Sequence, residues 1–265
     1  MIEFRGSWAL VTGASGGIGE SFARELAARG ANVILTARSG GKLATLAKEL
    51  ATKHGVQTRV LIADLSTEAG LWQLLVIADA LGVPVDHVIA NAGFGGFGEF
   101  ATQSERAQFE MVTLNCAALT VLVRHFLPKQ LERGRGGAIL VASTASFQPT
   151  PLYTVYGATK HFVRALGEAL AAEVHGTGVT ISVLCPGPVS TGFQARAGTS
   201  IAKAQERSVL SADETARVGL EGYTRGRVVV VPGRMNRVLR AISTAMPNRV
   251  VVPATLRMMR TKDGA

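Results

Sequence analysis

The sequence predicts an α/β fold: a doubly wound, seven-stranded parallel sheet with helices on both faces, built as one domain. Three observations predict it. Short β-branched or apolar runs alternate with longer segments of helical periodicity along most of the 265 residues. The strand-like runs are apolar at nearly every position, as strands covered on both faces must be. Glycines at 30, 55, 82, 176 and 226 each follow a helical segment, where a residue tolerant of positive φ ends a helix cheaply.

The elements fall in order. Strands are expected at 9–12, 33–36, 58–62, 87–90, 138–142, 180–184 and 228–231. Helices are expected at 18–29, 42–54, 68–81, 104–133, 154–175 and 212–225. Two segments break the alternation: a connection rich in Gly, Ser and Thr from 186 to 210, and everything after Pro232. Residues 1–232 are therefore expected to form the main α/β domain. Residues 233–265 are expected to pack on or near it as an extension.

Composition narrows the function classes. Apolar residues make up 47% of the chain and charged residues 18%, which fits a packed domain and excludes a disordered one. Cys116 and Cys185 lie in apolar runs and make no disulfide framework, so reduced thiols and a cytoplasmic setting are expected. Met1 to Ser7 lead directly into an apolar strand, leaving no expected cleavable leader. No run reaches the ~20 apolar residues that span a bilayer. The five histidines have no metal-like spacing, and metal chemistry is not expected. Nine basic residues and one acid lie between Arg225 and Ala265, so this segment carries nearly all of the net +9. The body is almost neutral, which argues against a nucleic-acid partner.

The first strand runs into Thr12-Gly13-Ala14-Ser15-Gly16-Gly17-Ile18-Gly19, which opens a helix. Such a turn lets backbone approach a pyrophosphate, and the helix N-terminus offers N–H groups and partial positive charge to it. The second strand ends in Thr36-Ala37-Arg38-Ser39. An acid there would bind a ribose 2′-hydroxyl; Arg38, helped by Ser39, suits a 2′-phosphate instead. NADP(H) is expected over NAD(H). Tyr156 and Lys160, four apart on a helix, share one face. Carbonyl reduction develops negative charge on oxygen and needs a proton donor, and an ammonium beside a phenol lowers its pKa toward that task.

Three residues separate Gly13 from Gly17, and the turn resembles the T-G-x-x-x-G-x-G motif of the short-chain dehydrogenase/reductase family, which has a Rossmann-type fold. The resemblance covers about residues 5 to 231, with the motifs in order. It implies that Asp64-Leu65 meets the adenine, that Asn91-Ala92-Gly93 lies beside the cofactor, and that Lys160 holds the nicotinamide ribose. It implies that Ser143, thirteen residues before Tyr156, hydrogen-bonds the substrate carbonyl. Asn115 would seat a water in a proton relay behind the lysine. Pro186, Gly187, Val189 and Thr191 would meet the carboxamide and pyrophosphate. By the same analogy a homodimer or homotetramer is expected.

Phe94, Phe97, Phe147, Tyr153 and Phe193 are expected around an apolar substrate pocket. The expected reaction is reduction of an apolar ketone or aldehyde to an alcohol, or its reverse. Two rivals stand beside it: a 3-oxoacyl-thioester reductase, and a non-enzymatic NADP(H)-binding sensor or scaffold. The tail mixes apolar residues with arginines, as an amphipathic helix pair would. A cleft lid or oligomer contact is its first reading, and peripheral membrane contact its second.

Overall fold

The computed structural model describes residues 2–199 and 208–260. It contains a seven-stranded, all-parallel sheet in the order β3-β2-β1-β4-β5-β6-β7. The strands are β1 (Trp8–Thr12), β2 (Asn32–Ala37), β3 (Thr58–Ile62), β4 (Val85–Ala90), β5 (Gly137–Val141), β6 (Thr180–Leu184) and β7 (Val229–Val230). Every residue of β1, β4 and β5 is buried, which accounts for the apolar character of β1 and β5; β4 also buries the polar Asp86 and His87. The last strand is shorter than the sequence suggested, because only Val229 and Val230 pair with β6.

The main helices are α1 (Gly17–Ala28), α2 (Gly40–His54), α3 (Glu68–Ala80), α4 (Glu105–Val112), α5 (Leu119–Arg133) and α6 (Thr154–Glu173), followed by the single turn α7 (Phe193–Arg196) and α8 (Ala212–Thr224). Where the sequence predicts one long helix, α4 and α5 are joined by a π-helical turn, Thr113–Ala118. Such turns insert an extra residue and commonly mark functional sites. Here the turn carries the fully buried Asn115. The combined helix Glu105–Arg133 is long and apolar enough to cross a membrane, yet half of its most apolar stretch is buried inside the protein.

Two apolar cores lie on opposite faces of the sheet. One packs α3, α5 and α6 against it around Leu74, Leu122, Phe126 and Val163; the other packs α1, α2 and α8 around Phe22, Leu26, Leu43 and Leu220. At the amino edge of the sheet, buried His87 shares a hydrogen bond with Tyr223 Oη across 3.0 Å. Burial depresses the His87 imidazole to about 4.

The tail folds as two helices, α9 (Arg234–Ala245) and α10 (Asn248–Arg260). Pro247 sits in the break between them, whereas Pro253 is accommodated inside α10. Lys262 and Asp263, counted in the tail's charge, lie outside the described residues.

Candidate active site

A cleft of about 990 Å³ opens at the carboxyl edge of the sheet, centred where the strand order reverses between β1 and β4. Loops diverge at such a reversal and leave a crevice for a ligand. Residues following each of β1 to β6 line it.

The glycine-rich turn forms one wall. Gly13 has φ +68°, a conformation that a side chain resists, and a Cβ on Gly19 would lie 2.3 Å from the Gly13 carbonyl oxygen. The turn is tied down from β4. Thr12 Oγ1 accepts from the Asn91 and Ala92 N–H groups at 2.9 Å each, and Asn91 Nδ2 donates to the Thr12 carbonyl at 2.9 Å. Helix α1 begins at the cleft without a side-chain cap, so its first N–H groups face the crevice unclaimed by any cap side chain. These features fit a pyrophosphate.

At the far end Arg38 extends from β2 with its guanidinium 3.8 Å from the Asp64 carboxylate. Partial burial pushes the Asp64 carboxyl up. Hydrogen bonds from Ser66 Oγ and N–H, at 2.7 and 3.0 Å, together with Arg38, outweigh it and hold Asp64 below the usual range. Lys42, in the first turn of α2, lines the cleft beside Arg38.

The opposite end holds the titratable groups. Ser143 caps the short 3₁₀ turn Thr144–Phe147, its Oγ accepting from Ala145 N at 3.1 Å. Burial pushes the Tyr156 phenol up to about 12 against the opposing influence of the nearby Ser143 hydroxyl, so it carries its proton at neutrality. Lys160 is buried, donates to the Val141 carbonyl at 2.8 Å, and lies 5.7 Å from the centre of the Tyr156 ring. Burial lowers its ammonium to about 8. Asn115 stands behind this group. Its Nδ2 donates to the Phe94 carbonyl at 2.9 Å and to Thr159 Oγ1 at 3.0 Å, while its Oδ1 accepts from Phe94 N at 3.2 Å.

The apolar wall beside Tyr156 is built by Tyr153 and Phe193, whose ring centres lie 5.8 and 5.3 Å from that of Tyr156. Leu152, just before this wall, holds φ +65°, uncommon for a branched side chain, and its carbonyl accepts from Gly98 N at 2.9 Å. The tail completes the enclosure: Leu239, Ile242, Met246, Val251, Met258 and Met259 all line the cleft. Gln148 Nε2 donates to Thr255 Oγ1 at 3.2 Å, fastening α10 to the loop after Ser143.

The family model described as short chain dehydrogenase matches residues 7–201. The chain belongs to the short-chain dehydrogenase family. Two very-long-chain 3-oxoacyl-CoA reductases are similar to it. That of Aspergillus fumigatus (strain CBS 144.89) is 35% identical over 184 residues, covering 68% of this chain and 53% of the relative. That of Anas platyrhynchos is 32% identical over 225 residues, covering 83% and 72%. The chain thus spans about half the length of the fungal relative it matches. Among solved structures, a short-chain dehydrogenase from Sphingobium yanoikuyae in complex with NADPH shares a TM-score of 0.80 at 29% identity, over 91% of this chain and 96% of that one.

The fold of this short-chain dehydrogenase brings nearly all of the residues singled out in the sequence to the cleft wall. Four lie elsewhere. Gly19 packs beneath the glycine-rich turn, and Asn115 sits one layer behind Gly93. Phe97 packs against Tyr153 with ring centres 5.0 Å apart and planes tilted by 60°, supporting the wall. Phe147 departs from expectation: its ring is held between the guanidiniums of Arg164 and Arg240, at 4.6 and 4.7 Å, and it does not line the cleft. A flat ring between two cations is a favourable arrangement, and it turns Phe147 toward α6 and α9. Part of the connection from 186 to 210, residues 200–207, lies outside the described residues.

Sequence reading missed Gln148, Met246, Thr255 and Asn236. Asn236 is buried in the first turn of α9, where its Nδ2 donates to the Pro232 and Ser208 carbonyls at 3.0 and 3.2 Å. An uncharged amide among arginines and aliphatic residues was the only local signal.

Proposed function

We propose that this short-chain dehydrogenase is an NADP(H)-dependent reductase of apolar carbonyl compounds, with long-chain 3-oxoacyl thioesters the best-supported substrate class. The observation that carries the reading is the gathering of Ser143, Tyr156 and buried Lys160 at the apolar end of the cleft. A binding module needs no protonated phenol there. The names of the two reductases above support the thioester class, and the apolar wall contributed by α9 and α10 suits an acyl chain.

The bound nicotinamide supplies the hydride. The chain's own residues do the rest. The turn from Gly13 to Ile18 and the α1 N-terminus hold the pyrophosphate, and Arg38 with Lys42 holds the 2′-phosphate. Ser143 donates a hydrogen bond to the substrate carbonyl oxygen. Tyr156 gives its proton to that oxygen as negative charge develops. Lys160, fixed by Val141, places positive charge beside the phenolate that remains. Asn115 has its side chain fully engaged by Phe94 and Thr159, so it acts by bracing the loop after β4. Exposed Phe109, Val112 and Phe162 on α4 and α6 support self-association through those helices.

The test is NADPH oxidation by the purified protein with 3-oxoacyl-CoA substrates of increasing chain length and with apolar ketones. Turnover is expected to rise with chain length. A Tyr156→Phe variant is expected to lose roughly 10²–10⁴-fold in kcat while still binding NADPH. Turnover unchanged in that variant would overturn the mechanism.

A further inference from the structure

Helix α9 is exposed on a face where a soluble helix is normally polar. Met235, Val238, Leu239, Ile242 and Met246 are 40 to 53% accessible, and Val250 at the start of α10 is 44% accessible. With 3.6 residues per turn, positions 235, 238, 239, 242 and 246 fall in an arc of about 100°. Arg234, Arg237 and Arg249 are exposed on the same segment and make no ion pair among the described residues. No aspartate or glutamate occurs from Arg225 to Arg260. The stripe is continuous with the cleft mouth, because Leu239, Ile242, Met246 and Val250 also line the cleft.

We propose that α9 and the start of α10 seat this protein on an anionic lipid bilayer, so that an apolar substrate passes from the bilayer into the cleft. Apolar side chains enter the acyl boundary while arginines meet lipid phosphates, the combination that gives interfacial helices their affinity. A second copy is the poorer occupant. Symmetric pairing of this face would bring arginines against arginines with no acid on either side. The docking is independent of the carbonyl chemistry; the route of the substrate rests on the function proposed above.

The experiment is co-sedimentation of the full chain with vesicles of phosphatidylcholine alone and of phosphatidylcholine doped with phosphatidylglycerol, at low and high salt. Binding is expected only to the anionic vesicles and is expected to weaken with salt. Met235→Glu with Val238→Glu alters two exposed residues that do not line the cleft. That double variant is expected to lower vesicle partitioning by roughly tenfold or more, with unchanged thermal stability and unchanged NADPH turnover of a water-soluble ketone. Sedimentation needs no catalysis, so a silent substrate panel would leave this result readable. Absence of binding to anionic vesicles, or equal binding by the double variant, would overturn the proposal. So would loss of a dimer in light scattering on making the variant, without any vesicle binding by the parent.

Discussion

A Cβ placed on Gly187 would lie 2.3 Å from Oδ1 of Asn236, so the loop after β6 and the first turn of α9 are in direct backbone-to-amide contact. This contact locks the tail onto the cofactor side of the cleft. Gly187→Ala is expected to displace the Asn236 amide and break its bonds to the Pro232 and Ser208 carbonyls. The expected cost is about 1–3 kcal/mol, with faster proteolysis of the tail. In an Asn236→Gly background the same substitution is expected to cost much less. A double-mutant cycle on thermal unfolding measures the coupling, and full additivity would dissociate the two residues.

Asn115 satisfies both backbone groups of Phe94. Asn115→Ala leaves that half-buried N–H and carbonyl without their partner, at an expected cost of about 1–3 kcal/mol in urea unfolding. The loop after β4 is expected to loosen, so KM for the carbonyl substrate should rise along with the loss of stability. A change in kcat alone, with normal stability, would point to a direct chemical role instead.

Arg38 decides the cofactor if its guanidinium pairs with a 2′-phosphate. Arg38→Asp is expected to weaken NADPH binding by roughly 10–100-fold, the range of a charge-assisted hydrogen bond, and to leave NADH binding nearly unchanged. Fluorescence titration with both cofactors reads this directly. Equal effects on both would remove Arg38 from the site.

His87 sets an acid limit on stability. Its imidazole is depressed by burial to about 4 from an ordinary value of 6.5. Above pH 6.5 it is neutral folded and unfolded, and it costs nothing. As pH falls from 6.5 to 4 only the unfolded chain takes up the proton, so stability declines by on the order of 3 kcal/mol and then levels off. His87→Phe is expected to flatten that window in melts from pH 7 to 4. An unchanged slope would assign the acid sensitivity elsewhere.

Local chemistry explains why so much was legible. Burial on both faces writes β1 and β5 as nearly continuous apolar runs, and a glycine turn that must approach phosphate cannot hide in a sequence. Tyr156 and Lys160 were readable because helix geometry alone places positions four apart on one face. Phe147 was misplaced because its neighbours, Arg164 and Arg240, come from helices distant in sequence. The π-helical turn around Asn115 went unseen for the same reason: Phe94 and Thr159, which draw that amide inward, lie far along the chain.

The sequence by itself determined the parallel sheet, the family, and most of the residues that gather at the carboxyl edge. Each follows from short-range periodicity or from a motif whose spacing is its geometry. Only the tertiary structure decided which face of the basic tail closes the cleft, that Asn236 and Arg240 anchor α9, and that an apolar stripe remains exposed. Those outcomes depend on contacts between α9, α10 and loops more than forty residues away, and amphipathic pattern alone does not choose a partner for a helix face.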